Sequence, residues 1–315
     1  MAALRIIFMG TAELSCASLK ALLDSPDFEV IAVVTQPDKP KGRDLKLLPS
    51  LVKQLVAGRG MPLLQPARAR NEDFVQEMRA LRPELIVVAA YGQILPSRIL
   101  EVPRFGCLNV HTSLLPKYRG AAPIQWAILN DESETGVTIM KMDAGMDTGP
   151  MLTEERTPIS SADTSETLHD RLAEMGARLL VRTIPDYIAG KIQPRPQPAE
   201  GVSHAPKIKK EDGRLDWTQP ARALWNRVRG LTPWPGAFTF LPGEGRSTLL
   251  KVWQAEQATA QGTAGEILQA DKTGLVVACG RDALRIQALQ LEGGRRLTVQ
   301  EFLAGHDLAP GLRLE

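Results

Sequence analysis

The sequence contains few cysteines and few histidines. Its three cysteines, Cys16, Cys107 and Cys279, lie far apart and show no Cys-x-x-Cys spacing. This pattern argues against a disulfide framework and a zinc site, and it predicts a reducing, cytoplasmic location. The four histidines have no ligand-like spacing either, so we expect no bound metal.

The sequence also lacks a long apolar run and a strong net charge. Its first nine residues hold one short apolar run, and no later run approaches the length of a membrane span, so we expect a soluble protein with no membrane segment. The net charge is only +2. A polyanionic partner would therefore have to bind to local clusters of Lys and Arg.

The first half of the chain alternates apolar runs with helical patterns. Strands are predicted at 4–9, 29–35, 63–64, 84–90 and 106–111, with helices between them at 14–23, 50–58 and 71–81. Such alternation predicts an α/β domain whose mostly parallel sheet is covered by helices on both faces. Gly10-Thr11-Ala12-Glu13 supplies only the first glycine of a dinucleotide fingerprint, which argues against an NAD site.

The second half changes character after a proline-rich stretch. Residues 190–206 have little apolar periodicity and are predicted to form an extended basic linker. Beyond them, strands separated by glycine-containing turns are predicted at 246–257, 274–279 and 283–289, which is typical of a small β-barrel. The predicted organisation is a catalytic domain at 1–189, the linker at 190–206 and a barrel domain at 207–315.

One stretch, 106–120 (GCLNVHTSLLPKYRG), brings polar side chains to the end of a strand. Side chains alternate along a strand, so Asn109 and His111 are predicted to share a face. An imidazole transfers protons near neutral pH and a carboxamide can stabilise a developing oxyanion, which suits acyl transfer to an amine. An isolated Asn-x-His pair would be better explained as the cap of a strand end. Asp147 lies between Gly145 and Gly149 and could be a turn residue; beside an imidazole, its carboxylate would fix the tautomer of the ring and stabilise the charged form. The sequence leaves open whether Asp147 would orient His111 or a relaying water.

These motifs together resemble the folate-dependent formyltransferases. The family patterns are Asn-x-His-x-Ser-Leu-Leu-Pro-x-aromatic-Arg-Gly and Asp-x-Gly-x-Asp-Thr-Gly, and both occur here. The resemblance covers nearly the whole chain and implies an N-terminal Rossmann-like domain and a C-terminal OB-like barrel. It implies that Asn109, His111 and Asp147 are catalytic. It also implies folate contacts by Ser113, Leu114, Leu115 and Pro116. Thr112 and Ala12 depart from the residues usual in the family.

A long loop at 36–46 holds four cations, which are Lys39, Lys41, Arg43 and Lys46. Because Asp38 and Asp44 halve its net charge, composition alone leaves a solvated loop and a nucleic-acid contact equally open. Family members that act on methionyl-tRNA carry a basic loop here, including an arginine that matches Arg43. The resemblance therefore implies tRNA contacts in this loop. Further tRNA contacts are predicted for Lys207, Lys209 and Lys210.

The function implied by the resemblance is transfer of the formyl group of 10-formyltetrahydrofolate to the α-amine of charged initiator tRNA, by an enzyme predicted to be a monomer. A rival is a formyltransferase acting on a nucleotide-linked amino sugar, whose acceptor would not require the inserted loop. An RNA-binding protein with a vestigial folate pocket is a third possibility. The intact set of Asn109, His111 and Asp147 argues against it.

Overall fold

The computed structural model describes residues 3–41, 46–243, 245 and 247–315. Its contacts divide the chain into two compact units. The first unit comprises Met1–Pro123, Glu134–Pro158 and His169–Pro206, and the second comprises Ile124–Ser133, Ile159–Leu168 and Lys207–Glu315. The long segment of the second unit begins at Lys207, and residues 190–206 belong to the first unit.

The first unit is an α/β structure. Its strands are β1 (Leu4–Gly10), β2 (Phe28–Val34), β3 (Lys39–Lys41), β4 (Lys46–Leu48), β5 (Leu63–Leu64), β6 (Leu85–Ala89), β7 (Cys107–His111), β8 (Arg119–Gly120), β9 (Glu134–Lys141), β10 (Met151–Pro158) and β11 (His204–Ala205). The helices before residue 190 are α1 (Leu14–Asp24), α2 (Leu51–Val56), α3 (Glu72–Ala80), α4 (Ser97–Leu100), α5 (Pro123–Leu129) and α6 (Ser165–Ile188). Most of α5 and the first turn of α6 belong to the second unit.

Seven of these strands form one sheet in the order β10-β9-β7-β6-β1-β2-β5. Within this sheet, β7, β6, β1, β2 and β5 run parallel to one another, whereas β9 runs antiparallel to both β7 and β10. Every residue of β6 and β7 is buried, as expected for strands covered on both faces. The predicted mostly parallel sheet is confirmed, and His111 is the last residue of β7.

Two stretches of the first unit are more ordered than predicted. The basic loop contains a short hairpin, in which Lys39 of β3 pairs with Leu48 of β4. Residues 190–206 lie along the first unit: Arg195 and Met151 exchange two backbone hydrogen bonds of 2.8 Å, and β11 pairs with β8. Pro194 and Pro196, on either side of Arg195, favour an extended backbone, and Arg195 itself keeps an N–H that can pair with Met151.

The second unit is rich in β-structure, as predicted. Its strands are β12 (Ala237–Leu241), β13 (Thr248–Ala258), β14 (Ile267–Asp271), β15 (Gly274–Ala278), β16 (Ala283–Leu291) and β17 (Leu297–Thr298). Its later helices are α7 (Ala221–Gly230) and α8 (Val299–Leu303). The antiparallel strands follow the order β12-β13-β16-β15-β14, and β17 pairs with β16. Trp217 and Trp225 lie in the core at 5% and 9% exposure, whereas Trp234 is 56% exposed.

The last residues of the chain join the two edge strands of this sheet. Glu315 and Phe240 of β12 exchange backbone hydrogen bonds of 2.9 and 3.0 Å. Leu312 and Leu314 pair with Ile267 and Gly265, at the start of β14, through bonds of 2.8 Å. The sheet is thereby closed in the manner of a barrel, by a segment that the sequence did not indicate as a strand.

Replacing Leu314 with Ala is expected to destabilise the second unit by about 2–4 kcal/mol, because the side chain is 2% exposed in its core and its loss leaves a cavity. All five tryptophans lie in the second unit, so their fluorescence during urea unfolding reports on this unit alone. The control is Leu312→Ala, whose side chain is only partly buried. An equal loss in both variants would contradict the core role of Leu314.

Within the described residues, none of the helices combines the length and the apolar character needed to cross a membrane.

Candidate active site

The carboxyl end of β7 carries two buried polar side chains, Asn109 and His111, which are 9% and 5% exposed. Asn109 lies opposite Val88 of β6 and Met140 of β9, and His111 lies opposite Thr138. The pair therefore sits where the parallel part of the sheet meets its antiparallel strand. Ligands in sheets of this kind bind beyond the carboxyl ends of the strands.

The orientation of the His111 ring is set by a backbone carbonyl. Its Nε2 lies 3.0 Å from the carbonyl oxygen of Tyr118. A carbonyl only accepts hydrogen bonds, so in the neutral ring Nε2 carries the proton and Nδ1 carries a lone pair. Nδ1 lies 3.8 Å from Oδ2 of Asp147. This lone pair makes Nδ1 the nitrogen of His111 that can accept a proton.

Asp147 completes the cluster from a different loop. Its Oδ2 accepts a 2.8 Å hydrogen bond from the N–H of Gly120, and its Oδ1 accepts a long one, 3.4 Å, from Nδ2 of Asn109. Its distance of 3.8 Å from the ring is too long for a hydrogen bond but close enough to stabilise an imidazolium electrostatically. The structure thus brings together the three residues predicted to be catalytic, while the Tyr118 carbonyl orients the ring.

Two glycines are required by this arrangement. Gly120 has a φ of +122°, and a Cβ there would lie 2.7 Å from the carbonyl oxygen of Ala205. At Gly149 a Cβ would lie 1.9 Å from the carbonyl oxygen of Lys141. A side chain at either position would push apart the backbone that carries Asp147 or that donates to its carboxylate.

Sequence reasoning missed Gln197, which contacts the backbone of the Asp147 loop. Its Nε2 donates 2.8 Å hydrogen bonds to the carbonyl oxygens of Asp147 and Gly149. Its Oε1 accepts bonds of 3.0 and 2.7 Å from Nε and Nη2 of Arg119. A glutamine in a proline-rich stretch gives no signal of such long-range contacts, so only the folded structure reveals them.

The turn predicted to contact folate is held largely by its own hydrogen bonds. Ser113 Oγ donates to the carbonyl oxygen of Lys117 at 2.6 Å, and Thr138 Oγ1 donates to that of Ser113 at 2.7 Å. The side chains of Ser113 and Leu115 are buried, whereas Leu114 and Pro116 are partly exposed. The folate contacts stay a prediction, and the accessible side chains for them are those of Leu114 and Pro116.

Two exposed apolar side chains that the sequence did not single out belong to loops beside this cluster. Ile94 follows the carboxyl end of β6 and is 78% exposed, and Met146 precedes Asp147 and is 61% exposed. Large apolar side chains exposed next to buried polar groups are typical of sites that bind an aromatic or aliphatic ligand.

The predicted tRNA contacts fall into two groups. In the hairpin, Lys39 is exposed and its Nζ donates to Oε1 of Gln36. Lys41 and Lys46 pair through the backbone across β3 and β4, and Arg43 lies outside the described residues. The other group belongs to the second unit, where Lys207, Lys209 and Lys210 are exposed around the buried Ile208.

Asp38 anchors the base of the hairpin. Its carboxylate accepts hydrogen bonds from Nζ of Lys53 at 2.7 Å and from Nε2 of Gln65 at 2.9 Å. The hydrogen bond from Lys53, followed by that from Gln65, lowers the pKa of Asp38, so the carboxylate stays charged at neutral pH. The negative charge of Asp38 is thus paired with a lysine outside the hairpin. It therefore offsets the positive charge of the hairpin less than the count of charged residues in the loop implied.

Among the residues that the structure describes, no group of three or more His, Cys, Asp or Glu side chains is placed to hold a metal ion.

The two halves of the chain match two family sequence models. The model described as "Formyl transferase" matches residues 4–184, and the model described as "Formyl transferase, C-terminal domain" matches residues 207–307. The chain belongs to the formyltransferase family. The membership predicted from the two motifs is thereby confirmed.

Similar formyltransferases extend over the full chain. A protein named methionyl-tRNA formyltransferase from Geobacter sulfurreducens is 50% identical over 314 residues, covering 100% of this chain and 98% of the relative. One of the same name from Citrifermentans bemidjiense is 49% identical over 311 residues, covering 99% and 96%.

Two solved structures share the fold at low identity. The N-formyltransferase from Helicobacter canadensis, solved with folinic acid and dTDP-3-aminofucose, aligns with a TM-score of 0.67 at 18% identity, covering 90% of this chain and 99% of its own. HypX from Aquifex aeolicus in complex with tetrahydrofolic acid aligns with a TM-score of 0.64 at 18% identity. The alignment covers 98% of this chain but only 49% of HypX, so this chain spans about half the length of HypX. At such identity the likeness shows the fold alone.

Proposed function

We propose that the chain transfers the formyl group of 10-formyltetrahydrofolate to the α-amine of methionyl-tRNA, with initiator tRNA as the substrate. The observation that carries the proposal is the cluster at the end of β7, in which a lone pair on His111 lies beside the Asp147 carboxylate. It is supported by full-length relatives, about half identical, that are named for this reaction.

The proposed reaction begins with attack of the amine nitrogen on the formyl carbon. A C–N bond forms, and Nδ1 of His111 accepts a proton from the amine, whose unperturbed pKa is about 8. Nδ2 of Asn109 donates a hydrogen bond to the formyl oxygen as it gains negative charge. The bond between the formyl carbon and N10 then breaks, and the imidazolium of His111 returns its proton to N10, which regenerates the neutral ring.

Asp147 contributes in this scheme through its charge. When Nδ1 takes up the proton, a carboxylate 3.8 Å away stabilises the resulting imidazolium. Because the Tyr118 carbonyl already holds Nε2, Asp147 is not needed to select the tautomer. The sequence left open whether Asp147 orients His111 or a relaying water. With the ring already held by Tyr118, the proposed contribution of Asp147 is its negative charge beside His111.

The acceptor is proposed to be tRNA because of the basic hairpin and the lysines after residue 206. A small amino-sugar nucleotide would not require the hairpin, whereas a polyanion binds better to clustered cations. The test is to mix the protein with formyl-labelled tetrahydrofolate and either methionyl initiator tRNA or an amino-sugar nucleotide. Label transfer to the sugar but not to the tRNA would refute the proposal.

The proposed cell location is the cytoplasm, and the proposed state is a monomer. All three cysteines are free, and burial raises the pKa of Cys107 and that of Cys279 to about 12. Cysteines without disulfide partners are typical of proteins in a reducing compartment, and this supports the proposed location.

Replacing Asp38 with Asn is expected to raise KM for methionyl-tRNA about threefold to tenfold, because the hairpin loses its ion pair with Lys53. KM for the folate should stay unchanged. If Asp38 only diluted the positive charge of the hairpin, the same variant would lower KM for tRNA, so the direction of the change decides between the two roles. Glu72→Gln, which breaks the exposed ion pair with Arg98 in the same unit, is the matched control.

A further inference from the structure

Gln197 joins two parts of the candidate active site that are far apart in sequence. Its amide nitrogen donates to the carbonyl oxygens of Asp147 and Gly149, both at 2.8 Å. Its amide oxygen accepts two hydrogen bonds from the guanidinium of Arg119. A guanidinium only donates and carbonyls only accept, so this amide can be placed in one orientation only.

These contacts close a ring around the Asp147 carboxylate. Arg119 is followed by Gly120, whose N–H donates to Oδ2 of Asp147 at 2.8 Å. Gln197 joins the side chain of Arg119 to the backbone on both sides of Thr148. Asp147 and the group that donates to its carboxylate are therefore held by the same amide.

The Asp147 loop needs such a support from outside. Asp147 has a φ of +53°, a left-handed conformation that costs a non-glycine residue about 1 kcal/mol. The side chain of Asp143 holds the loop by accepting bonds from Gly145 N–H and Thr148 Oγ1, at 3.0 and 2.7 Å. Those bonds lie within the loop, and a 2.8 Å bond from the N–H of Met142 to the carbonyl oxygen of Cys107 in β7 holds only the start of the loop. None of these bonds acts on Asp147 itself.

We propose that Gln197 is a positioning residue for formyl transfer, which sets the distance between the Asp147 carboxylate and His111. This inference rests on the proposed function. Displacing a reacting or charge-stabilising group by about 1 Å costs up to roughly 10²-fold in rate. Gln197 acts on turnover through Asp147 and has no contact with substrate in this scheme.

The test compares Gln197→Met with Gln193→Met in the full-length protein. Both changes remove a side-chain amide from the same proline-rich stretch, but the amide of Gln193 only donates locally, to the carbonyl of Gly190 at 2.9 Å. Gln197→Met is expected to lower kcat for formyl transfer about 10-fold to 10²-fold, with KM for methionyl-tRNA within about twofold. Gln193→Met should keep the parental kcat, and both variants should melt at similar temperatures.

A second variant, Gln197→Glu, separates the two ends of the amide. It keeps an acceptor for Arg119 but places a carboxylate oxygen against two carbonyl oxygens. We expect a loss of kcat at least as large as for Gln197→Met. Parental kcat in Gln197→Glu would show that only the Arg119 contact matters, and it would overturn the proposal.

A double-variant cycle with Asp147→Asn distinguishes positioning from general destabilisation. If Gln197 acts through the Asp147 carboxylate, adding Gln197→Met to Asp147→Asn should change the single-turnover rate by less than about threefold. Multiplicative losses would overturn the proposal, as would a parental kcat in Gln197→Met alone. Failure of the proposed function is a separate result, because the parental protein would then form no formylmethionyl-tRNA.

Discussion

Replacing Asp147 with Asn, or His111 or Asn109 with Ala, is expected to lower kcat for formyl transfer by about 10²–10⁴-fold. Asp147→Asn keeps the shape of the side chain but removes the charge that stabilises the imidazolium. His111→Ala removes the group that accepts the proton, and Asn109→Ala removes the donor to the oxyanion. Affinity for the folate should change much less, because each group acts mainly on charge that develops in the transition state.

Single-turnover transfer to methionyl-tRNA is the measurement, because it isolates the chemical step. Asp143→Asn is the matched control: it changes a carboxylate in the same loop, whose Oδ1 accepts hydrogen bonds from Gly145 N–H and Thr148 Oγ1. We expect that control to stay within a few fold of the parental rate. If Asp147→Asn behaved like Asp143→Asn, Asp147 would be a turn residue and the proposed mechanism would be wrong.

The sequence predicted the features of the site that depend on periodicity. Strands such as β6 are buried on both faces, so they appear as continuous apolar runs that are easy to recognise. The alternation of side chains placed Asn109 and His111 on one face of β7. The proximity of Asp147 to them came from the family resemblance, since nothing in the spacing of 36 residues between His111 and Asp147 implies contact.

Other features were missed because they depend on the backbone or on distant partners. The Tyr118 carbonyl that holds His111 is a group every residue has, so residue type cannot reveal it. Gln197 lies among prolines, so its segment has no alternation of apolar and polar residues. Such an alternation would have indicated that the segment packs against the first unit. A chain shortened to residue 190 would consequently lose Gln197 and β11 from the first unit. Shortening to residue 206 is the better test of what the second unit contributes.

The second unit was predicted less completely, because some of its elements are half-exposed or are held mainly by backbone pairing. The strands β15 and β16 are largely buried and have clear apolar patterns. By contrast, β14 is mostly half-exposed, and the closing segment at 311–315 pairs with two different strands through its backbone. Pairing of this kind depends on the shape of the closed sheet, so a short sequence window carries little trace of it.

Neutralising the hairpin cations by changing Lys39, Lys41, Arg43 and Lys46 to Met is expected to raise Kd for methionyl-tRNA about 10²-fold at low salt. Each phosphate contact releases a condensed counterion, so the slope of log affinity against log salt should flatten by about 0.9 per lost contact. KM for the folate should stay nearly constant, because the folate contacts are predicted for the turn at 113–116 and not for the hairpin. Filter binding at several salt concentrations measures the slope.

The control changes four cations elsewhere in the first unit, all of them exposed, to Met: Lys20, Arg79, Arg104 and Arg178. This variant has the same net charge as the hairpin variant, so a difference between their slopes reports on location and not on total charge. A third variant, with Lys207, Lys209 and Lys210 changed to Met, tests the second group separately. If the hairpin and control variants gave the same slope, the hairpin would make no phosphate contacts and the tRNA contacts proposed for it would be wrong.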